Sequence, residues 1–347
     1  MKAAFFHQPG SIAIEEVPVP KAAKGQIVVQ VKAAAICGTD QRIYKFGHFK
    51  IREGDKRVLG HETAGVVAEV GPGVTAFKPG DRVAVPPNVG CGVCRMCQKG
   101  FNHLCPDYEA FGISYDGGFQ EYLLIPENAV GNVIKIPASL SFAAAAMVEP
   151  FSCAYNSWQA LRTAPGDSVL IVGAGPIGAC HVMINKLAGA VKILVADVSA
   201  ERLEEIRRFG ADVVIDSAKE NLKDAVMRHT DGEGADVVIT ACSVPEIQAI
   251  ALEVAATRGR INFFGGMPKG KENVTLNTNL IHYKEMIALG TTGSSMDHYL
   301  ESMRIAASGK VDIGALATAT YPLAEIQAAF DNALAGRGMK TLIAMGD

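Results

Sequence analysis

The sequence has no excess of charge of either sign. Its 347 residues include 33 Lys and Arg and 36 Asp and Glu, which gives a formal net charge of -3. Such a balance supplies no basic field for binding nucleic acid or an anionic membrane surface. We therefore expect neither nucleic acid nor a membrane among the partners of this chain.

Long apolar runs are also missing. Residues 169–185 carry no Asp, Glu, Lys or Arg, but they contain three glycines and one proline. This composition is typical of a buried strand followed by a helix, and not of a transmembrane helix. The first residues contain a lysine and no long apolar segment, so we expect no signal peptide and a cytoplasmic protein.

The chain does contain enough apolar sequence for more than one hydrophobic core. Hydrophobic residues make up 49% of the chain and charged residues 20%, as in ordinary globular proteins. Chains of this length usually divide into two domains. We therefore expect two.

Four of the eight cysteines lie within a stretch of fifteen residues. They form the pattern C-x2-C-x2-C-x7-C with Cys91, Cys94, Cys97 and Cys105. Spacings of two let thiolates on one turn point at a single ion, and the fourth closes a tetrahedron, which predicts a structural zinc site. An iron–sulfur cluster or four unrelated thiols are the alternatives. A nucleic-acid-binding zinc ribbon is disfavoured, because only Arg95 and Lys99 are basic between the first and last of these cysteines.

A second group of metal-binding residue types precedes these cysteines. Cys37 lies some twenty residues before Gly60-His61-Glu62, and both segments occur where predicted strands meet loops. A cysteine, a histidine and a carboxylate can hold a catalytic zinc and leave one coordination position open. Glu149 ends an apolar segment, where a charge needs a partner. It is either a helix-terminal charge or a further carboxylate associated with the metal.

The N-terminal part of the chain is predicted to be rich in strands. Short β-branched runs such as Ile27–Lys32 and 64–70 alternate with Gly and Pro turn signals. This pattern is typical of a compact, partly closed β-barrel. We place the first domain at residues 1–150, with the cysteine-rich lobe at 91–105.

From about residue 151 the pattern changes to alternating strands and helices. The run Ser168–Val172 is followed directly by Gly173-Ala174-Gly175-Pro176-Ile177-Gly178 and then by a helix as far as about Ala188. Later predicted strands alternate with helices, one of which reaches Thr257. This order predicts an α/β domain with a doubly wound parallel sheet at residues 151–289. Residues 290–347, ending in a strand at 340–344, are expected to return to the first domain.

The pattern G-x-G-x-x-G is weak evidence alone, but here it follows a strand and opens a helix. Asp197, at the end of the second strand, is placed to accept the ribose hydroxyls of NAD and to repel the 2′-phosphate of NADP. The alternatives are a turn without a ligand and, for Asp197, a helix N-cap. The predicted cofactor-binding residues are Gly173, Gly175, Pro176, Ile177, Gly178, Asp197 and Arg202.

Taken together, these motifs resemble the zinc-dependent medium-chain dehydrogenase/reductase family, in its sorbitol and threonine dehydrogenase branch. The resemblance covers essentially the whole chain. It implies a GroES-like catalytic domain around a Rossmann domain, two zinc ions per subunit, and a homotetramer or dimer. It also implies Cys37 and His61 as zinc ligands, Glu62 or Glu149 as the third group, Thr39 as the acceptor of the substrate proton and Asp40 as the carboxylate that orients His61.

The chain departs from the family pattern at three places. Arg42 and Asn156 stand where many members carry a histidine, and Thr291-Thr292-Gly293 lacks the arginine that sorbitol dehydrogenases use. We therefore expect the substrate to be a secondary alcohol of a polyol, sugar alcohol or sugar acid, oxidised with NAD. An L-threonine 3-dehydrogenase is the main alternative. A non-catalytic NAD-binding sensor is a weaker one, and a zinc-free quinone reductase is disfavoured by the ligand set.

Overall fold

The structure is a computed structural model that describes residues 1–346. The chain divides into two units. The terminal unit comprises Met1–Ser152 together with the residues from Ser294 onward, and the central unit comprises Cys153–Gly293.

The strands are numbered in chain order. They are β1 (Lys2–Gln8), β2 (Ser11–Glu16), β3 (Ile27–Ala35), β4 (Arg57–Val58), β5 (Glu62–Val70), β6 (Arg82–Val85), β7 (Asn88–Val89), β8 (Glu109–Ala110), β9 (Tyr122–Ile125), β10 (Ile134–Lys135), β11 (Ser168–Val172), β12 (Lys192–Asp197), β13 (Val213–Asp216), β14 (Ala235–Thr240), β15 (Ala255–Asn262), β16 (Ile287–Leu289), β17 (Ala317–Pro322) and β18 (Lys340–Ala344).

The α-helices are numbered in the same way. They are α1 (Gly38–Phe46), α2 (Arg95–Gln98), α3 (Glu127–Val130), α4 (Phe142–Ala146), α5 (Val148–Leu161), α6 (Pro176–Leu187), α7 (Ala200–Ile206), α8 (Leu222–His229), α9 (Pro245–Val254), α10 (Thr278–Tyr283), α11 (Met296–Ala307) and α12 (Ile326–Leu334).

The terminal unit is built around a seven-stranded sheet. Its order is β10-β6-β5-β3-β18-β17, and β9 also pairs with β3. Most residues of β3 are buried because it packs at the centre of this sheet, and the apolar core includes Ile27, Leu123, Phe330 and Ile343. The last strand, β18, pairs antiparallel with β3, so it lies in the sheet of the terminal unit.

The central unit contains a six-stranded sheet of order β13-β12-β11-β14-β15-β16. All of its pairings are parallel. Parallel strands that are buried on both faces are nearly continuous apolar runs, as in β11, where four of the five residues are buried. The predicted α/β fold with a parallel sheet is confirmed.

The prediction was wrong where a helix was extended to Thr257. Helix α9 ends at Val254, and β15 begins with the next residue. Ala255 pairs with Ala235 of β14, after which the register shifts, and Arg258 takes a positive φ of 62°. Small apolar residues suit a helix and a buried strand equally, so pairing with β14 decides the outcome here.

Cys37 was predicted to lie where a strand meets a loop, and no helix was predicted for the residues that follow it. They form α1, with Cys37 as its N-cap. Asp40, at the third position of the helix, accepts a hydrogen bond from the backbone N–H of Cys37, as in a capping box. The short helix is therefore stabilised at its start by a residue that also contacts the candidate site.

Among residues 1–346, none of the helices combines the length and the apolar character that crossing a membrane requires.

Candidate active site and cofactor loop

The four cysteines of the lobe lie around one point. Their sulfur atoms are all within 4.8 Å of one another, and Cys94 Sγ lies 3.7 Å from Cys105 Sγ. Four thiolates bound to zinc at about 2.3 Å would be about 3.8 Å apart. The lobe therefore has the dimensions of a tetrahedral structural zinc site.

The protonation of these thiols also suits an ion. Backbone N–H groups of Val93 and Cys94 lower the pKa of Cys91 to about 7, whereas burial and the neighbouring thiols raise the pKa of Cys97 to about 12. Close thiols resist simultaneous ionisation because their negative charges repel. A divalent cation removes that repulsion and allows all four thiolates to form.

Cys37, His61 and Glu62 come together at the ends of two neighbouring strands. Cys37 follows β3, and Glu62 is the first residue of β5. The antiparallel ladder pairs Ala35 with Glu62, which brings the segments that carry the three side chains side by side. Their candidate ligand atoms all lie within 4.8 Å of one another. A thiolate, an imidazole and a carboxylate so placed can hold one divalent cation and leave a position open.

Asp40 links the two segments of this group. Its carboxylate accepts hydrogen bonds from the backbone N–H groups of Cys37 (2.8 Å) and Gly60 (3.1 Å). Asp40 Oδ1 also lies 3.5 Å from His61 Nδ1, which is long for a hydrogen bond. Burial alone would lower the pKa of His61, but the Asp40 carboxylate and the Cys37 thiol raise it well above its ordinary value. A divalent cation must therefore displace a proton from His61.

Lys340 is a buried neighbour of the group that the sequence analysis missed. It begins β18, and its ammonium donates to Ile36 O (3.2 Å) and to Glu62 Oε1. Burial would lower the pKa of Lys340, but Glu62 and Cys37 raise it above its ordinary range. The other oxygen, Glu62 Oε2, is buried without a hydrogen-bond partner among the described residues. The available signal was a lysine at the start of a largely apolar strand, since a buried charge needs a partner.

Glu149 is not one of the three grouped ligand residues. It lies in the first turn of α5 and is buried. Its charge also raises the pKa of Lys340, so the carboxylate is close to the group. Thr39 is half-buried in the first turn of α1, two residues after Cys37.

The residues that replace the family histidines are placed differently from each other. Arg42 is exposed on α1. Asn156 donates from Nδ2 to Gly293 O at 2.9 Å in the central unit. Asn156 therefore holds the segment that ends the central unit, which is a structural contact within that unit.

A cavity of about 350 Å³ opens in the terminal unit. It is lined by Phe49, Lys50, Arg52, Glu109 and Ser114. Lys50 pairs with Glu109 at 3.4 Å, and the buried Ser114 Oγ has no hydrogen-bond partner among residues 1–346. Gly112 lies between two of the lining residues in the sequence, and a Cβ added there would lie 3.1 Å from Gly60 N. The segment that supplies Glu109 and Ser114 therefore packs against the residue before His61.

In the central unit, the glycine loop joins β11 to α6 with two close backbone approaches. Gly173 has a positive φ of 119°, and a Cβ added there would lie 2.8 Å from Ala241 O. A Cβ added to Gly178 would lie 2.0 Å from Gly173 O. Only glycine fits at these two positions. They supply the tight turn and the close helix–strand packing expected of a dinucleotide-binding loop.

The N-terminus of α6 is open to an anion. Gly175 is the N-cap, no side chain caps the helix, and Pro176 occupies its first turn. The nearest atom to a Cβ added at Gly175 is Arg202 Nη1, at 3.6 Å. Uncapped N–H groups at the positive end of a helix, beside a guanidinium, fit a pyrophosphate.

Asp197 lies beside this loop. It is the last residue of β12, and its carboxylate accepts hydrogen bonds from the N–H groups of Ala174 (2.7 Å) and Ser199 (2.9 Å). Because β12 is the parallel neighbour of β11, the carboxyl ends of both strands meet at the same edge of the sheet. Asp197 therefore lies at the edge of the sheet from which the glycine loop leaves β11.

Two family models match the chain. Residues 23–138 match the alcohol dehydrogenase GroES-like domain, and residues 176–308 match the zinc-binding dehydrogenase model. The first match contains the group of Cys37, His61 and Glu62 and the cysteine lobe, and the second begins at the N-terminus of α6.

Curated relatives align over most of the chain. The L-threonine 3-dehydrogenase of Pyrococcus abyssi is 36% identical over 310 residues, covering 88% of this chain and 87% of the relative. The sorbitol dehydrogenase of Bacillus subtilis is 34% identical over 338 residues, covering 96% of this chain and 94% of the relative.

Solved structures share the fold at full length. An alcohol dehydrogenase of E. coli CFT073, complexed with NADH, has a TM-score of 0.91 and 30% identity and covers 99% of each chain. Other similar structures include one bound to NADP. The matched models and the full-length relatives agree with the site geometry, and the chain belongs to the zinc-dependent medium-chain dehydrogenase/reductase family.

Proposed function

We propose that this protein is a zinc-dependent dehydrogenase that transfers a hydride between a secondary alcohol and NAD. The proposal is carried by the group of Cys37, His61 and Glu62, whose candidate ligand atoms lie within 4.8 Å of one another. A non-catalytic NAD-binding sensor would need the glycine loop but has no use for this group. Family membership supports the same class of reaction.

The residues present fit two zinc ions per chain. Glu62 Oε2 is a buried oxygen without a partner among the described residues, which suits a metal ligand because an unpaired buried carboxylate oxygen is costly. Cys37, His61 and Glu62 would hold the catalytic ion, and the four cysteines of the lobe would hold the structural one. Glu149, whose charge acts on the Lys340 ammonium, would exchange with Glu62 or act through water.

The chain's own side chains prepare the reaction. When bound, zinc supplies the Lewis-acid chemistry that lowers the pKa of a hydroxyl, as it lowers that of water from about 15.7 to about 7, and NAD takes up the hydride. Asp40 orients His61 through the Oδ1–Nδ1 contact. Thr39, two residues after Cys37 and half-buried, would accept a hydrogen bond from the substrate hydroxyl and relay the proton by releasing its own hydroxyl hydrogen to water. The burial of His61 and Glu62 keeps water away from the charged groups.

NAD is proposed as the cofactor rather than NADP. The carboxylate of Asp197, fixed by two backbone N–H groups, would accept hydrogen bonds from ribose hydroxyls and repel a 2′-phosphate. Arg202 lies beside Gly175, where it would contact the pyrophosphate. The remaining predicted residues, Pro176 and Ile177, form the first turn of α6.

For the substrate, we propose a polyol, sugar alcohol or sugar acid. The cavity is lined by the cationic side chains of Lys50 and Arg52, the anionic side chain of Glu109 and the hydroxyl group of Ser114. Hydroxyl-rich compounds can satisfy a buried hydroxyl such as that of Ser114 together with charged donors. The related sorbitol dehydrogenase acts on a substrate of this type.

L-threonine is the second candidate substrate. The L-threonine 3-dehydrogenase of P. abyssi is 36% identical to this chain, and an amino acid carries one charge of each sign. The cationic side chains of Lys50 and Arg52 would pair with its carboxylate, and Glu109 with its ammonium group.

The reaction class is tested with Cys37→Ala. We expect the variant to bind one zinc ion fewer and to lose NADH formation with secondary alcohols, while Cys180→Ala, a buried cysteine of the central unit, keeps both. A folded Cys37→Ala protein with wild-type zinc content and activity would contradict the proposal.

The two substrate classes are separated by a panel of polyols, sugar acids and L-threonine, in which NADH formation is followed by its absorbance.

A homo-oligomer, either a tetramer or a dimer, and a reducing cytoplasmic setting are proposed with this activity. The eight cysteines are all free thiols, as expected where thiols stay reduced. Light scattering coupled to size exclusion measures the assembly directly, and a monomeric mass would contradict this part of the proposal.

A further inference from the structure

We infer that Lys340 is a positioning residue that holds one oxygen of Glu62 and thereby directs the other oxygen to the metal. This inference rests on the proposed function, because it requires a metal ion at Cys37, His61 and Glu62.

The first observation is the burial of the Lys340 ammonium. The side chain is 5% exposed and that of Glu62 is 0% exposed. An ion pair so completely removed from water is held only by its own contacts, and loss of one partner leaves an uncompensated charge. Lys340 is therefore not an ordinary surface lysine that happens to lie near the site.

The second observation is that the two oxygens of the Glu62 carboxylate have different surroundings. Oε1 accepts from Lys340 Nζ, whereas Oε2 is buried with no hydrogen-bond partner among residues 1–346. One oxygen is thus occupied and the other is available. A carboxylate held in this way would bind a cation through a single oxygen, in one orientation.

The third observation is that the same ammonium fixes the backbone before Cys37. Lys340 Nζ donates to Ile36 O at 3.2 Å, and the N–H of Ile36 donates to Thr341 O at 3.0 Å. The start of β18 therefore contacts both the residue that precedes one candidate ligand and the side chain of another. Lys340 therefore adds a further link between the segment that leads to Cys37 and the side chain of Glu62.

Charge gives the arrangement a further role. The thiolate of Cys37 and the carboxylates of Glu62, Asp40 and the nearby Glu149 carry four negative charges, two more than a divalent cation neutralises. The ammonium of Lys340 offsets one of these two charges inside the buried site. Without it, the loaded site would carry a larger net negative charge in surroundings of low dielectric.

The test compares Lys340→Met with Lys340→Arg by competing for Zn²⁺ with a chelator of known affinity. We expect Lys340→Met to weaken zinc binding at the group of Cys37, His61 and Glu62 by about 10- to 100-fold. Lys340→Arg should keep most of the affinity of this group for zinc. The four-cysteine lobe serves as an internal reference, because its zinc should be unaffected. Lys192→Met is the matched control, since Lys192 donates to His229 O in the central unit.

A double-mutant cycle separates positioning from general destabilisation. In a Glu62→Gln background the ion pair is already absent, so adding Lys340→Met should cost less than threefold in zinc affinity. A purely structural lysine would cost the same in both backgrounds, and additive losses would overturn the inference. If Lys340→Met alone fails to fold, Lys340→Gln, which keeps a hydrogen-bond donor without the charge, takes its place in both backgrounds of the cycle.

The visible spectrum of the Co²⁺-substituted protein gives an independent readout. We expect Lys340→Met to shift the ligand-field bands that Cys37→Ser abolishes, because the orientation of the carboxylate changes. A folded Lys340→Met variant with wild-type zinc affinity and Co²⁺ bands would overturn the role of Lys340 and leave the proposed function intact. A wild-type chain that holds zinc only at the lobe would overturn both.

Discussion

His181 makes the stability of the central unit depend on pH. The residue lies in α6, is fully buried, and neither ring nitrogen has a hydrogen-bond partner among the described residues. Burial lowers its pKa from 6.5 to about 3. In the unfolded chain His181 binds a proton below pH 6.5, whereas in the folded chain it stays neutral down to about pH 3. The stability present above pH 6.5 is therefore lost as the pH falls, by about 2 kcal/mol between pH 7 and pH 5.

The substitution His181→Leu removes this titration. We expect the free energy of unfolding of the variant to fall by about 2 kcal/mol less than that of the wild type between pH 7 and pH 5. At pH 7 the variant should be no less stable than the wild type, because two unpaired nitrogens leave the core. Urea unfolding followed by the fluorescence of Trp158, the only tryptophan, reports on this unit. His282→Leu is the control, since His282 is exposed in the same unit. Equal losses of stability in the wild type and His181→Leu would refute the argument.

Three further substitutions test the site. Asp197→Ala should raise kcat/KM with NADP relative to NAD, because the charge that repels a 2′-phosphate is removed; an unchanged ratio in assays with both cofactors contradicts the assignment. Cys97→Ser should lower the Tm and remove the lobe zinc but keep the catalytic one, and selective loss of the catalytic zinc in elemental analysis would reverse the two roles. Thr39→Val should lower kcat by about 100-fold or more at unchanged zinc content; a wild-type kcat would mean that another group accepts the proton.

Local sequence pattern was sufficient for most elements of the central unit. The strand predicted at Ser168–Val172 has the same bounds in the structure. Its apolar run is ended by Gly173, which the turn after the strand requires. The segment around Ala255 was misassigned for the opposite reason. Its residues are small and apolar, so helix and strand are both locally acceptable, and pairing with Ala235 decides between them.

The candidate metal group was predictable from residue types but its membership was not. Cys37 and His61 are rare ligand types in a suitable motif, whereas Glu62 and Glu149 are chemically equal choices. The structure brings Glu62 into the group through its pairing with Ala35, and leaves Glu149 outside the grouped ligand atoms. Strand register is a tertiary property that the spacing of the motif does not contain.

Lys340 shows why the remainder of the site needed the fold. Its partner Glu62 is 278 residues away along the chain, and no local period connects the two. A lysine in a buried strand does predict that a carboxylate lies near it, because an isolated buried charge is too costly. Several carboxylates could have met that requirement. The choice follows from β18 pairing with β3, since that pairing brings the last strand to the segment that ends at Cys37 and so places the lysine against Glu62.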